Sequence, residues 1–334
     1  MIGELSHDIT DYPEGIVLPV NKPYRWTSAD VIRKLKFAAF RHFRKKNLKV
    51  GHAGTLDPLA TGVLLVCLGP ACKRAQTLQD HDKEYIAGIR FGATTPSYDL
   101  EKDVDRRFPY EHITADAVRD SLKAFLGLQE QIAPLFSAKS IDGVRAYEMA
   151  RKLYRSGRTA ELDEAALENL HRSQIVISEL ELLSFNPAGT DIPEPMAALG
   201  HLRGRCPLLS PAAFSPSTFL LSQKPGYGRA PDGAILATHE EGSRSDDLGT
   251  SVPSGQNTAS NRINVADTSA MGLPEAVIRI VCSKGTYIRA FARDLGEALN
   301  SGAHLSSLVR SRSGDYSLDD CLSMEQALDL LKEG

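Results

Sequence analysis

This sequence of 334 residues contains few cysteines. It has neither a metal-binding motif nor a membrane segment. Its five cysteines are odd in number and widely spaced, without a Cys-x-x-Cys pair, which argues against a disulfide framework and a zinc site. The longest apolar run, at 63–68, is far shorter than the about 20 residues that cross a bilayer. The acidic N-terminus does not resemble a secretory leader. We therefore expect a cytoplasmic protein without a metal centre.

The charge balance is nearly even, but the charges are unevenly distributed. The sequence has 39 Lys and Arg against 42 Asp and Glu, a net charge of −3, and this total alone argues against a nucleic-acid partner. Between 33 and 49, however, basic side chains occur without any acid, at positions 33, 34, 36, 41, 44, 45, 46 and 49. Such a run is either a solvated surface or the footprint of a polyanionic substrate.

One long segment interrupts an otherwise orderly chain. Residues 186–274 hold 10 of the 18 prolines and 10 of the 26 glycines and show no periodicity, which predicts a disordered insert. Strand-like patterns lie on both sides of it. We therefore predict an N-terminal extension at 1–14 and one domain in two parts, 15–185 and 275–334, interrupted by this insert.

Patterns elsewhere predict a mixture of strands and helices. Because they do not alternate as regular βαβ units, they favour an α+β fold. We predict strands at 15–20 and 84–91, and helices at 29–43 (capped by Ser28), 114–125 (capped by Thr114), 146–154 and 288–299.

The segment 51–62 (GHAGTLDPLATG) carries the densest set of chemically useful residues. It is too rich in glycine and proline for a helix or strand, and such loops commonly hold catalytic residues against a ligand. The alternative is a tight turn in which Asp57 caps its own backbone. The ending of a phosphate-binding P-loop is missing.

A second segment, 282–289 (CSKGTYIR), brings polar groups to the junction of a predicted strand and helix. Thr286, Tyr287 and Arg289 lie at this strand end, where sheets commonly position ligands. The alternative is an ordinary turn in which Arg289 forms a surface ion pair, which contributes little to stability.

These segments resemble the TruB-type tRNA pseudouridine synthases. The matches occur in family order and also include NKP, KEY, GATT followed by Asp99, the stretch QIAPLFSAKSIDGVRAYEMAR, and LVR, at 21–23, 83–85, 92–95, 131–151 and 308–310. Together they cover about 15–185 and 275–318. The resemblance implies the pseudouridine synthase fold, with a mixed or antiparallel central sheet, flanking helices and a central RNA-binding cleft.

The resemblance also implies the catalytic residues. Asp57 resembles the family's aspartate nucleophile, which must be ionised, and Arg289 resembles the partner that keeps it charged. Tyr287 resembles the active-site tyrosine, which contacts the substrate and is a candidate base for a sugar proton. The reaction involves no redox change, so the resemblance implies neither a metal nor an organic cofactor.

Four further residues are implied to bind the substrate. Tyr85 would stack on an extruded uracil, and Leu308 would close the apolar side of that pocket. His52 matches a histidine that contacts the rearranged RNA loop, and Lys22 fits a supporting role. Without the resemblance, the strand and helix spacing of Tyr85 and Leu308 favours core residues.

The sequence departs from the family pattern at several positions. Ala53 replaces a usual Thr, Asn21 a frequent Asp, Arg25 a common Gly and Ala133 a usual Pro. The insert lies outside the pattern, and we expect a short form without the C-terminal RNA-binding PUA domain.

The implied function is conversion of uridine to pseudouridine in the T loop of tRNA, at position 55. We expect tRNA, bound through its T arm, as the partner, with no membrane and no obligate protein partner. Two alternatives remain open. One is a subunit of a guide-RNA-dependent synthase, and the other is a non-catalytic tRNA-binding or folding factor on the same fold.

Overall fold

The computed structural model describes residues 5–141, 143–190 and 263–332. Its strands are, in chain order, β1 (Ile16–Lys22), β2 (Val50–His52), β3 (Ala60–Leu68), β4 (Lys83–Phe91), β5 (Ala93–Thr94), β6 (Arg106–Arg107), β7 (Gly127–Gln131), β8 (Ser140–Ile141), β9 (Val144–Arg145), β10 (Ser173–Asn186), β11 (Glu275–Cys282), β12 (Ala303–Ser313) and β13 (Tyr316–Ser317).

The α-helices of the same residues are α1 (Ser28–His42), α2 (Ala75–Asp80), α3 (Ala115–Leu122), α4 (Ala146–Arg155), α5 (Leu162–Asn169), α6 (Ile288–Ala298) and α7 (Met324–Leu330). Short 3₁₀ helices occupy Ile9–Asp11, Gly69–Arg74, Lys123–Phe125, Thr159–Glu161, Ser269–Met271 and Leu318–Asp320.

A nine-stranded mixed sheet is the centre of the fold, which confirms the α+β prediction. Its main path runs β1-β3-β12-β4-β11-β10-β7, with β2 paired to β3 and β13 paired to β12. The pairing of β12 with β3 is parallel, whereas β4 pairs with β12 and β11 antiparallel. Strands β3, β4 and β12 therefore lie side by side, and the site described below is built at their ends.

The central strands are apolar because both of their faces are covered. Every residue of β4 is buried, and so is every residue of β3 except Thr61. The side chains of Leu64 and Val66 pack in the main core, whereas Val63 and Leu65 pack in a second cluster on the opposite face. This two-sided burial explains the unbroken apolar run at 63–68.

Helix α1 begins one residue earlier than predicted, because Thr27 is its N-cap. The Thr27 hydroxyl accepts from the Asp30 amide, and the Asp30 carboxylate accepts from the Thr27 amide in return, forming a capping box. The prediction of Ser28 as the cap was wrong. Ser28 is buried, and its hydroxyl bonds to both the amide and the carbonyl of Leu56, at 2.9 and 3.1 Å.

Most other predicted elements are confirmed within a residue or two. Thr114 caps α3, which passes into a 3₁₀ turn that ends at Phe125. The prediction that all of 51–62 is irregular was wrong at both ends, where β2 and β3 include residues up to His52 and from Ala60. The predicted disorder of the insert concerns mostly 191–262, which lie outside the described residues.

In the part of the chain that the structure covers, no helix is long and apolar enough to cross a membrane.

Candidate active site

An ion pair between Asp57 and Arg289 forms the centre of the site. Arg289 donates from Nε to Oδ2 of Asp57 at 2.9 Å and from Nη2 to Oδ1 at 3.0 Å. The Asp57 side chain keeps 36 % of its surface exposed, whereas that of Arg289 keeps 6 %. A buried guanidinium thus holds an accessible carboxylate in one orientation through two parallel charge-assisted hydrogen bonds.

Arg289 has a second acidic neighbour that sequence reasoning did not assign. Its Nε lies 3.7 Å from Oδ2 of Asp99, and its Nη1 donates to the Ser97 carbonyl at 3.2 Å. Burial raises the pKa of Asp99, against the attraction of Arg289. Burial and the Asp99 carboxylate raise the pKa of Glu101 to about 7. The arginine is therefore the main positive charge within a group of carboxyl groups.

The loop at 53–59, here called the Asp57 loop, is held from below by Arg310. This β12 side chain is almost fully buried and donates to the carbonyls of Gly54, Thr55 and Val63. A guanidinium with several carbonyl acceptors fixes a loop that lacks regular backbone hydrogen bonds. Arg310 was part of the recognised sequence pattern, but its role was missed because its partners lie about 250 positions away in sequence.

Lys22 supports the same loop through the carbonyl of Pro58. Its Nζ, fully buried, donates to the carbonyls of Pro23, Trp26 and Pro58. Burial lowers the pKa of Lys22 to about 7, against the attraction of the Asp57 carboxylate. The ammonium faces protein carbonyls, so the structure places Lys22 beneath the Asp57 loop.

A cleft of about 500 Å³ opens above the ion pair. Its wall includes the three predicted residues Tyr85, Tyr287 and Leu308 together with Asp57 and Arg289. Tyr85 and Leu308 are buried in β4 and β12 with less than a tenth of their surface exposed. The cleft has room for one nucleobase and its ribose, and its wall combines aromatic, aliphatic and charged groups.

Tyr287 is fixed by a residue that sequence reasoning did not single out. The side-chain amide of Gln131 accepts from the Tyr287 amide at 2.8 Å and donates to the Tyr287 carbonyl at 3.2 Å. Burial, followed by the charge of Asp57, raises the pKa of the Tyr287 hydroxyl. This hydroxyl is therefore protonated at neutral pH. The contact joins β7 to the start of α6, which are far apart in sequence.

His52 lies at the end of β2, two residues before the cleft wall begins at Gly54. Its Nδ1 is buried and has no hydrogen-bond partner among the described residues. Burial lowers the pKa of His52, and the charge of Arg310 acts in the same direction. The histidine therefore favours the neutral form, in which one ring nitrogen accepts a hydrogen bond.

The basic run at 33–49 lies on α1 and the loop that follows it, and we call it the basic surface. All eight of its lysine and arginine side chains are exposed. The run leads directly into β2 and the Asp57 loop.

Over residues 5–141, 143–190 and 263–332, no group of three or more His, Cys, Asp or Glu side chains is placed to bind a metal ion.

The fold and the site together define an α+β protein in which a buried arginine orients a partly exposed aspartate in the wall of a cleft. The family model of the TruB family pseudouridylate synthase N-terminal domain matches residues 41–192. The tRNA pseudouridine synthase B of Phocaeicola vulgatus is 39 % identical over 94 % of this chain and 92 % of its own length. This chain belongs to the TruB family of pseudouridylate synthases.

This chain is also similar to further curated proteins and to a solved structure. The tRNA pseudouridine synthase B of Bacteroides fragilis is 39 % identical over 93 % of this chain and 92 % of its own. That of Deinococcus radiodurans is 32 % identical over 92 % of this chain and 77 % of its own. A solved H/ACA ribonucleoprotein bound to a substrate RNA containing 2′-deoxyuridine has a chain matched at 17 % identity and a TM-score of 0.48. The match covers 98 % of this chain and 58 % of that chain.

Proposed function

We propose that this chain converts uridine to pseudouridine in tRNA, at position 55 of the T loop, with Asp57 as the nucleophile. The observation that carries the proposal is the Asp57–Arg289 pair, in which the carboxylate is oriented yet exposed to the cleft. The names of the relatives, tRNA pseudouridine synthase B, support tRNA as the substrate.

The isomerisation breaks the bond between N1 of uracil and C1′ of ribose, rotates the base, and joins C5 to C1′. No electrons enter or leave, and the proton lost from C5 is balanced by the proton gained at N1. The carboxylate of Asp57 attacks C1′ or C6, or assists elimination to a glycal. Arg289 maintains its charge and orientation throughout.

The target base must leave the helical stack of the tRNA before Asp57 can reach it. Tyr85 and Leu308 line the cleft next to the reacting carboxylate. We propose that the Tyr85 ring stacks on the extruded uracil and that Leu308 packs against its other side. These contacts compensate for the lost stacking within the RNA.

We propose that Tyr287 takes part in proton transfer. It lines the same cleft as Asp57, and its backbone is fixed by Gln131. In a glycal route, a base must remove the ribose C2′ proton, and we assign this step to the Tyr287 oxygen. Because its pKa is raised, the hydroxyl gives its own proton to the Asp57 carboxylate, which lines the same cleft, as its oxygen takes the proton from C2′.

The basic surface supplies an attractive field for the RNA backbone. Its eight exposed cations precede the Asp57 loop in the sequence, and we propose that they attract the phosphates of the T arm. We propose that His52 contacts the rearranged T loop, and that Lys22 contributes indirectly by holding the Asp57 loop.

The test is an assay of the purified chain with a tRNA transcript, in the absence of guide RNA and other proteins. We expect pseudouridine at position 55 and at no other uridine. A transcript with cytidine at position 55 is the matched control and should remain unmodified. Binding of the transcript without any pseudouridine would contradict the proposal and support a folding factor, whereas activity only with a guide RNA would support the other alternative.

A further inference from the structure

Arg25 adopts a backbone conformation that its residue type disfavours. Its φ is +62°, in the left-handed region where an L-residue is strained and glycine is not. The Arg25 amide donates to the carbonyl of Pro58 at 3.0 Å, and Pro58 directly follows the nucleophile Asp57. A glycine would provide this backbone contact without strain, which indicates that the Arg25 side chain has a role of its own.

The guanidinium of Arg25 contacts a segment 238 positions away. Its Nη2 donates to the Ile263 carbonyl at 2.5 Å. The residues 263–268, here called the return segment, then continue along the site. The Ala266 amide donates to the Leu100 carbonyl at 2.8 Å, next to Asp99. The return segment therefore connects the turn at Arg25, which contacts Pro58, to the turn at Asp99 and Leu100.

The far end of the return segment is firmly anchored. Thr268 is buried, and its hydroxyl accepts from Nη1 of Arg90 at 2.8 Å and lies 3.3 Å from Nε2 of His304. Arg90 is itself paired with Glu275 at 2.8 Å. Because this end is fixed in the sheet, a contact at the Arg25 end transmits the rigidity of the sheet to the Asp57 loop.

We propose that Arg25 is a positioning residue, which clamps the return segment against the turn that holds Pro58 and so fixes Asp57 for reaction. This inference rests on the proposed function. The Arg25 side chain affects the chemical step, because it clamps the return segment. The Arg25 backbone affects stability, because its positive φ is strained.

The experiment compares Arg25→Gly with Arg25→Ala. Both remove the guanidinium, but only the alanine variant keeps the strained backbone, so the glycine variant should melt about 3 °C higher. We expect the single-turnover rate constant for pseudouridine formation to fall about tenfold in both variants. The Kd for tRNA should be nearly unchanged. Asn300→Gly, at φ +52° and exposed, is the control for relief of strain without loss of activity.

Hydrogen exchange provides a readout that does not depend on activity. We expect faster amide exchange at 53–60 and 263–268 in both Arg25 variants. The inference would be overturned by unchanged exchange in these two segments. It would also be overturned by a wild-type single-turnover rate constant in Arg25→Gly, or by activity that only follows the melting temperature. An inactive wild-type protein would instead count against the proposed function, and the exchange comparison would still decide the clamp.

Discussion

Arg289 contacts both carboxylate oxygens of Asp57, although the two residues are 232 positions apart in the chain. The contact joins the start of α6 to the loop between β2 and β3. Because the arginine is buried and the aspartate is exposed, the pair combines a fixed orientation with access for a substrate.

Replacing the guanidinium by an ammonium should impair turnover although the charge is kept. Arg289→Lys retains one positive charge but cannot form the two parallel bonds to Asp57. We expect the single-turnover rate constant to fall by about 10- to 100-fold, which is the effect of losing one charge-assisted hydrogen bond. Single-turnover kinetics on a tRNA transcript measure it. Arg293→Lys, on the same helix but bonded to Asp294 and Ile132, is the control, and equal losses in the two variants would contradict this account.

Gly62 should tolerate no side chain. Its φ is +102°, and a Cβ there would lie 2.2 Å from the Arg310 carbonyl oxygen. Gly127 has φ +86° but nothing within 4 Å of its Cβ position. We expect Gly62→Ala to lower the free energy of unfolding by more than about 3 kcal/mol and Gly127→Ala by about 1 kcal/mol. Chemical denaturation measures both, and similar losses would show that the close approach at Gly62 is unimportant.

The stability of the protein should depend on the ionisation of Glu101. Its pKa in the folded chain, about 7, lies above the ordinary value of 4.5. Folding therefore favours the protonated form, and the contribution of this group is complete below about pH 4.5 and declines as the pH rises to 7. We expect Glu101→Gln to gain about 3 kcal/mol of unfolding free energy, relative to wild type, between pH 4.5 and 8.

Denaturation curves at a series of pH values provide this measurement. Glu168→Gln, which removes an exposed carboxylate from α5, controls for the change in net charge. A constant difference between Glu101→Gln and wild type across the pH range would show that the carboxyl group is not disfavoured in the folded state.

Reversing charge on the basic surface should weaken tRNA binding without affecting the chemical step. We expect Lys45→Glu combined with Lys46→Glu to raise KM about tenfold. The slope of log Kd against log salt concentration should become shallower by about 1 to 2. The matched control reverses Arg119 and Lys123, which are exposed on α3 and its continuation. An equal effect of both pairs, or a loss confined to kcat, would argue against a specific RNA-binding surface.

Local features of the sequence predicted much of the fold. The strand at 84–91, the cap at Thr114 and the bounds of α6 follow from neighbouring residues, and the structure confirms them within a residue. The cap of α1 was misassigned because Thr27 and Ser28 are both good N-caps. The choice between them depends on the tertiary contact of Ser28 with Leu56.

The site was predictable only in part. The pattern around Asp57 and Arg289 indicated two polar segments, and the resemblance indicated that they act together. The supporting contacts made by Gln131, Arg310 and Arg25 were not predicted. Each joins residues more than 30 positions apart, so no local periodicity reports them, and they follow only from the way the sheet brings its strands together.

The central claim is that Asp57 performs the nucleophilic step, and the Asp57→Asn variant tests it most directly. The substitution preserves size and removes the charge. The measurement is pseudouridine formed at position 55 of a tRNA transcript under single-turnover conditions, with the Kd for tRNA determined in parallel. We predict a rate at least about 1,000-fold below wild type, with Kd within about threefold. Pseudouridine formation at the wild-type rate would contradict the claim.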